Sequence, residues 1–391
     1  MRQKVVVIGG GAIGSAIAYF TQAQREFSGE VTVIERDPSY TRASSALSAS
    51  SIRQQFSSAI NIQMSMAGIE FLRSARERLA VGGERPELAL KEQGYLFLAS
   101  ETGAEVLAEN HLLQRAHGAD VRLFNPVELR QRFPWLSTSG IAAGSFGLSG
   151  EGWFDGYSLL QALRRKARAL GATYLAAEAR GFDCVGERIQ AVRLADGRSV
   201  PCDVVVNAAG PWAREPAAWL GIDLPVRARR RCVFVVSCPT RVEHAPLVID
   251  PTGVWFRPEG SSRFICGISP DAGNDPDDLP LDVDQALFDD VVWPTLAARV
   301  PAFEALRQTG AWAGYYEFNT FDQNGVVGYH PAVRNLIFAN GFSGHGLQQS
   351  PAIGRGVAEL IVHGGYRTLD LTPLAFERIA AQRPLTERNV V

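Results

Sequence analysis

The sequence predicts an α/β half with a Rossmann-like parallel sheet, interleaved with an α+β half built on a mixed or antiparallel sheet. Three observations predict it. Near the N-terminus a strand, a glycine-rich turn, a helix and a second strand ending in an acid follow one another in register. Between residues 226 and 310 the texture changes to short alternating strand signals. Near residue 340 the order strand, glycine turn, helix returns. A chain of 391 residues is too long for one simple core, which suits two halves.

The first strand is Val5-Val6-Val7-Ile8, and it runs into Gly9-Gly10-Gly11-Ala12-Ile13-Gly14 and an apolar helix from Ser15 to Gln24. In this G-x-G-x-x-G pattern Gly9 permits the tight turn, Gly11 lets the backbone approach a pyrophosphate, and Gly14 lets helix and strand pack closely. The helix start offers unpaired N–H groups and partial positive charge to phosphates. The second strand, Val31-Thr32-Val33-Ile34, ends in Glu35, whose carboxylate suits the hydroxyls of an adenosine ribose and repels a 2′-phosphate, so Arg36 alone does not make the site NADP-specific. The unit binds a dinucleotide, and FAD and NAD suit it equally.

The Ser44 to Ser51 stretch reads either as a flexible linker or as a small-residue segment against a ligand, and a helical pattern follows through Ile60, Met64, Ile69, Phe71 and Leu72. Gly94 to Ala99 reads as a strand, Ala104 to His117 as a helix and Pro126 to Leu136 as a turn with a short helix. A second αβ unit starts at Tyr157, where Leu159, Leu160, Leu163, Ala167 and Leu170 form an apolar stripe and Arg164, Arg165, Lys166 and Arg168 face water. Strands follow at Thr173 to Ala176, Ile189 to Leu194 and Val204 to Val206, the last leading into Asn207-Ala208-Ala209-Gly210-Pro211-Trp212. In the second half, strands are expected at Cys232 to Ser237, Val254 to Arg257 and Phe264 to Gly267, with a helix over Asp284 to Arg299. Arg229-Arg230-Arg231 reads as a boundary surface rather than a phosphate site. Finally Leu336 to Asn340 is a strand, Gly341-Phe342-Ser343-Gly344-His345-Gly346 a turn, and Pro351 to Val362 a helix.

Composition excludes several function classes. With 39 basic and 41 acidic residues there is no basic excess to drive phosphate-backbone binding, so a nucleic-acid partner is disfavoured. Five cysteines without a C-x-x-C or Cys/His cluster argue against a disulfide scaffold and against a metal site. No apolar run is long enough to span a bilayer. The N-terminal segment imitates a secretory signal, but glycines interrupt its apolar core, so a cytoplasmic protein is expected. Among the basic residues only Lys4, Lys91 and Lys166 are lysines.

The motifs at Gly9 to Gly14 with Glu35, at Asn207 to Trp212 and at Gly341 to Gly346 together resemble the D-amino-acid oxidase and sarcosine oxidase superfamily of FAD-dependent oxidoreductases. The likeness spans nearly the whole chain. Ser48 to Phe56, Tyr315 to Gly325 and His345 to Gln349 are most similar to the branch of mitochondrial FAD-dependent oxidoreductase domain proteins and their bacterial relatives. The resemblance implies an FAD domain over residues 1–85, 145–225 and 326–380, and a substrate domain over 86–144 and 226–325. It implies adenosine on Gly9, Gly11, Ala12, Ile13, Gly14, Glu35 and Arg36, with Ala179 touching adenine by its backbone. Pyrophosphate lies near Ser44 and Ser45, with Ala208, Ala209, Gly210 and Trp212 close by. The flavin ring lies between Ser50-Ser51-Ile52-Arg53 and the turn Gly341, Phe342, Gly344, His345, Gly346, Leu347, Gln348.

Ser48 and Gly314 stand where relatives tether the flavin through His or Cys, so noncovalent FAD is expected. Family lysines have counterparts here in Ile265 and Gln348, which leans towards a dehydrogenase over an oxidase. The implied reaction takes a hydride from the carbon of an amine to flavin N5 and leaves an imine that hydrolyses. His345 and the helix start behind it would stabilise charge on the flavin. Arg53 and Arg257 are the candidate anchors for a substrate carboxylate, because a guanidinium forms two parallel charge-assisted bonds. Gln55, Trp255, Tyr315 and Tyr316 are candidate pocket walls, Tyr316 also as a catalytic group. The expected partners are an amino-acid-like substrate, O2 or a protein or quinone as electron acceptor, and other subunits in a homo- or hetero-oligomer. The competing readings are an α-hydroxy acid dehydrogenase and a flavoprotein subunit or assembly factor with little turnover.

Overall fold

The computed structural model describes residues 2–270 and 272–388. Its first sheet has six strands in the order Val326–Tyr329, Leu336–Asn340, Val204–Asn207, Lys4–Ile8, Glu30–Glu35 and Thr173–Ala176. Every pairing is parallel except that of Val326–Tyr329 with Leu336–Asn340. The central strands are almost continuously apolar because both faces are covered, one by the helices Ala12–Ala23, Gly156–Ala169 and Gly346–His363 and the other chiefly by Phe182, Ile189, Val192 and Leu194 of a small antiparallel sheet. Strand order runs outward in both directions from Lys4–Ile8, so a crevice opens past the C-terminal ends of the strands there. The helices Ala12–Ala23 and Gly346–His363 cross so closely that a Cβ on Gly354 would meet Ala16 Cβ at 2.7 Å.

The second large sheet has eight strands, in the order Arg307–Asn319, Val226–Ser237, Arg263–Gly267, Trp255–Pro258, Leu247–Ile249, Tyr95–Ala99, Ala143–Gly147 and Val121–Phe124. It is mixed, since Leu247–Ile249 pairs parallel to Tyr95–Ala99 while its other pairings are antiparallel. Phe234, Phe256, Phe264 and Phe303 form its buried core. A three-stranded antiparallel sheet, Ala179–Val185, Arg188–Leu194 and Ser199–Pro201, and a two-stranded pairing of Ser51–Ile52 with Gly152–Trp153 complete the sheets.

Three elements differ from the expectation. The strand expected over Cys232 to Ser237 begins at Val226, because alternate arginines are accommodated by acidic partners from a distant loop. The helix expected over Asp284 to Arg299 is broken into a short turn, a π-helical stretch Phe288–Val292 and the helix Trp293–Arg299, which has Pro294 in its first turn. The last long helix starts at Gly346 instead of Pro351. Pro351 cannot donate to Leu347 O, and Ser350 Oγ fills that place at 2.9 Å, so the helix runs through the proline. Among the described residues no helix is long and apolar enough to cross a membrane.

Candidate active site

The glycine turn is built by steric necessity. Gly9 has φ +97°, and a Cβ there would lie 2.3 Å from Ala208 O; a Cβ on Gly14 would lie 1.9 Å from Gly9 O. No larger residue fits either place without moving backbone. Glu35 closes the turn, its carboxylate accepting the Gly10 and Asp37 amides at 2.8 Å each. Burial raises its carboxyl above the usual range, while those amides pull it down. Past the turn a cavity of about 520 Å³ is lined by Gly9, Gly11, Ala12, Ile13, Glu35, Arg36, Ser44, Ser45, Ala179, Ala208, Ala209, Gly210 and Trp212. The Arg36 guanidinium stacks 4.0 Å over the Trp212 ring, which fixes one edge of this cavity.

The serine-rich stretch is ordered. Ser44–Leu47 forms a helical turn, Ser45 Oγ accepts the Ala12 amide at 3.0 Å, and Ser44 Oγ is buried with no hydrogen-bond partner among the described residues. From there a second cavity, of about 150 Å³, extends under the eight-stranded sheet. Ala12, Ile13, Ser44, Ser45 and Glu317 belong to both cavities, so they adjoin. Ser48, Ser50, Ser51, Gly344, Gly346 and Leu347 bound the smaller one on one side, and Tyr95, Trp255, Tyr315, Tyr316 and Gly314 on the other. Arg231 is the one cation on its wall among the described residues. Strand register explains this, because Arg231 pairs with Gly314, which has no side chain, and stacks 4.9 Å from the ring of Tyr316. Both its terminal nitrogens reach Asp275 at 2.8 Å, and its Nε has no partner among the described residues.

A model of FAD-dependent oxidoreductases, the DAO family, matches residues 4–360. The chain belongs to this family. It is 46% identical to FAD-dependent oxidoreductase domain-containing protein 1 of Xenopus laevis, over all of this chain and 85% of that protein. It is 26% identical to a glycine oxidase of Geobacillus kaustophilus, over 96% of this chain and 97% of that one. Among solved structures it is similar to the L-proline dehydrogenase of P. horikoshii, with a TM-score of 0.86 and 27% identity over 98% of this chain and 99% of that one.

The DAO family's cofactor, FAD, fits the residues present. A cavity of about 520 Å³ at the glycine turn adjoins a smaller aromatic one, Gly11 lines the larger of them and would bring a Cβ within 3.3 Å of Ser45 Oγ, and the orphaned Ser44 hydroxyl awaits a polar partner. Ser48 and Gly314, the positions where the resemblance implies a tether would stand, both line the smaller cavity, and neither is a His or Cys.

Several residues expected at the reacting end lie behind the wall instead. Arg53 lines neither cavity. It is 2% exposed, its Nη2 lies 3.0 Å from His345 Nε2, and its guanidinium stacks on Phe56 at 4.5 Å and Phe97 at 5.0 Å. His345 is therefore turned inwards as well, with Nε2 accepting from Arg53, which places the ring proton on Nδ1. Burial, and then the Arg53 cation, hold its imidazole well below the usual range, so it is neutral. Gln348 accepts the Arg53 amide at 2.9 Å and the Ser65 hydroxyl at 3.0 Å, and Gln55 is bound to Tyr95 O and to Glu151, whose carboxyl burial pushes up to about 7.

Arg257 also lies behind the wall. It is 6% exposed, lines neither cavity, and spends Nε and Nη2 on Ala49 O at 3.1 and 2.9 Å and Nη1 on Glu259. It shapes the small-residue segment from outside. Ile52, Gly14, Gly341 and Phe342 likewise support the walls without lining them. Arg231, Tyr95 and Glu317 line the cavities without being among the expected site residues. From sequence alone the run Arg229 to Arg231 reads as surface, because nothing local shows its partner Asp275.

Proposed function

We propose that the protein oxidises the C–N bond of an amino acid or N-substituted amino acid, with hydride passing to FAD and the imine product hydrolysing. The observation that carries this reading is the small cavity walled by Tyr95, Trp255, Tyr315 and Tyr316 with one guanidinium, Arg231, on it. That combination suits a small substrate with one carboxylate and an apolar body. FAD supplies the hydride acceptor. Arg231 holds the carboxylate, and the aromatic walls exclude water from the reacting carbon. Amides at the start of the Gly346–His363 helix favour negative charge gathering beside them. Glycine oxidase and dimethylglycine dehydrogenase among the relatives, both named for amino-acid substrates, support the reading.

The test is anaerobic mixing of the holoprotein with amino acids, N-methyl amino acids, opines and α-hydroxy acids while flavin absorbance is followed. Bleaching by a member of the first three groups is expected; bleaching only by hydroxy acids, or by nothing, sinks the proposal. No lysine lines either cavity, so we propose a dehydrogenase, and air is expected to reoxidise the reduced protein slowly. Acid precipitation is expected to release all of the flavin into the supernatant, as noncovalent binding requires. We further assign residues 1–85, 145–225 and 326–380 to FAD and 86–144 and 226–325 to substrate, and place the protein in the cytoplasm, which the five free thiols support.

A further inference from the structure

Glu317 stands where the two cavities adjoin and belongs to the walls of both. Its Oε2 accepts the Gly341 amide at 3.2 Å. Its Oε1 lies against the start of the last long helix, where a Cβ on Gly346 would come within 2.9 Å of it. No ion pair to this carboxyl exists among the described residues. The charged and titratable groups on the elements around it are committed elsewhere. On the paired strand Arg227 binds Leu224 O and Val226 O, Arg229 and Arg231 both bind Asp275, Arg231 from the wall of the same cavity, and Arg230 binds Asp282 O. Arg36 and Arg42 lie over Trp212, His345 is held by Arg53, and the Tyr315 hydroxyl donates to Leu279 O.

A carboxyl at such a place has two options. Ionised, it has only backbone amides and the start of the Gly346–His363 helix to offset its charge, and beside the region where Ser44, Ser45 and the first helix start suit a pyrophosphate the two negative charges repel. Protonated, it keeps its acceptor for Gly341 and gains an O–H donor for the ligand. A ligand oxygen brought to the place where the two cavities adjoin would therefore select the neutral acid.

We propose that Glu317 is a cofactor-holding residue that works as a neutral carboxylic acid, donating its proton to an oxygen of the phosphate–ribityl linker of FAD. Burial pushes this carboxyl up to about 7, against the pull of the Gly341 and Phe342 amides, which brings the neutral form within reach of ordinary pH. The sign follows. FAD binding favours the protonated acid, so affinity is full below the carboxyl's pKa and falls as pH rises through it. The inference rests on FAD occupying the two cavities and not on the choice of substrate.

The experiment dilutes the holoprotein and reads released flavin by its fluorescence, which gives an FAD dissociation constant with no substrate present. Wild type is expected to bind about tenfold more weakly at about pH 8.5 than at about pH 6. Glu317→Gln, a permanent neutral donor, is expected to match wild type at the lower pH and to stay flat. Glu317→Ala is expected to bind about tenfold more weakly at both. A Glu317→Gln protein as weak as Glu317→Ala, or one that keeps the wild-type pH dependence, overturns the proposal. Because turnover is not read, a failed substrate panel leaves this result unaffected.

Discussion

Replacing Asp322 by asparagine is expected to cost the folded chain about 3–5 kcal/mol. Asp322 is buried at the centre of the Asn319 to Gly325 loop, and its carboxylate accepts five hydrogen bonds. Arg378 supplies two of them, at 2.7 and 3.0 Å, and Asn319, Asn324 and the Leu385 amide supply the rest. The side chain of Arg378 is 8% exposed, so removing the charge opposite leaves a cation with no route to water. Thermal unfolding followed by tryptophan fluorescence reads the loss. The double variant Asp322→Leu/Arg378→Met separates causes: it removes the stranded cation and should recover part of the stability, but the three other donors stay unsatisfied at about 1–3 kcal/mol each. A double variant no better than the single one would mean that the stranded Arg378 cation is not what destabilises the single variant.

The loss should reach the flavin end through a continuous chain of contacts. Asn324 accepts from Asn61 at 2.7 Å, Asn61 accepts from Gln349 at 3.1 Å, and the neighbouring Gln348 holds the Arg53 amide. Glu387, from the C-terminal tail, closes the same knot on Ser57, Ser58 and Asn61. The Asp322→Asn protein is therefore expected to retain less FAD on gel filtration than wild type.

What the sequence made legible was local. The first strand, the glycine turn and Glu35 lie within one short segment, and the sterics that demand Gly9 and Gly14 act between neighbours in that segment and Ala208. Trp255, Tyr315 and Tyr316 were placed on the pocket wall because they are strand residues of a sheet expected to cover the flavin. The arginines were another matter. Arg231 and Arg257 differ in which way their strands present them, and Arg53 follows the end of a short strand; where each points depends on pairing register and on partners far away in sequence. Asp275 and Asp277 hold Arg229 and Arg231 half-buried, and Arg231 of that run reaches the cavity wall. His345 has the right neighbours for catalysis in sequence, but Arg53 claims its Nε2 from almost the other end of the chain.

Replacing Arg231 by methionine is expected to lower kcat/KM for an amino-acid substrate by about 30- to 1,000-fold, a loss of about 2–4 kcal/mol, chiefly through KM. The size follows from the geometry of the cavity: a carboxylate brought into a partly desolvated aromatic pocket without its cation forfeits the bond and still bears the desolvation cost. Asp275 competes for the same guanidinium, yet it also holds Arg229 at 3.0 Å and keeps that partner when Arg231 turns to substrate or is removed. Structural damage is thereby limited, and unchanged FAD content in the Arg231→Met protein would verify it. Arg231→Lys should recover only part of the affinity, because an ammonium lacks the planar pair of donors. The decisive control is the amine that lacks the carboxylate. Its weak turnover should be the same in wild type and Arg231→Met, whereas the amino acid should lose its advantage over that amine. If both substrates fall equally, Arg231 supports the wall through Tyr316 and Asp275 rather than by touching substrate; if neither falls, the carboxylate is held elsewhere.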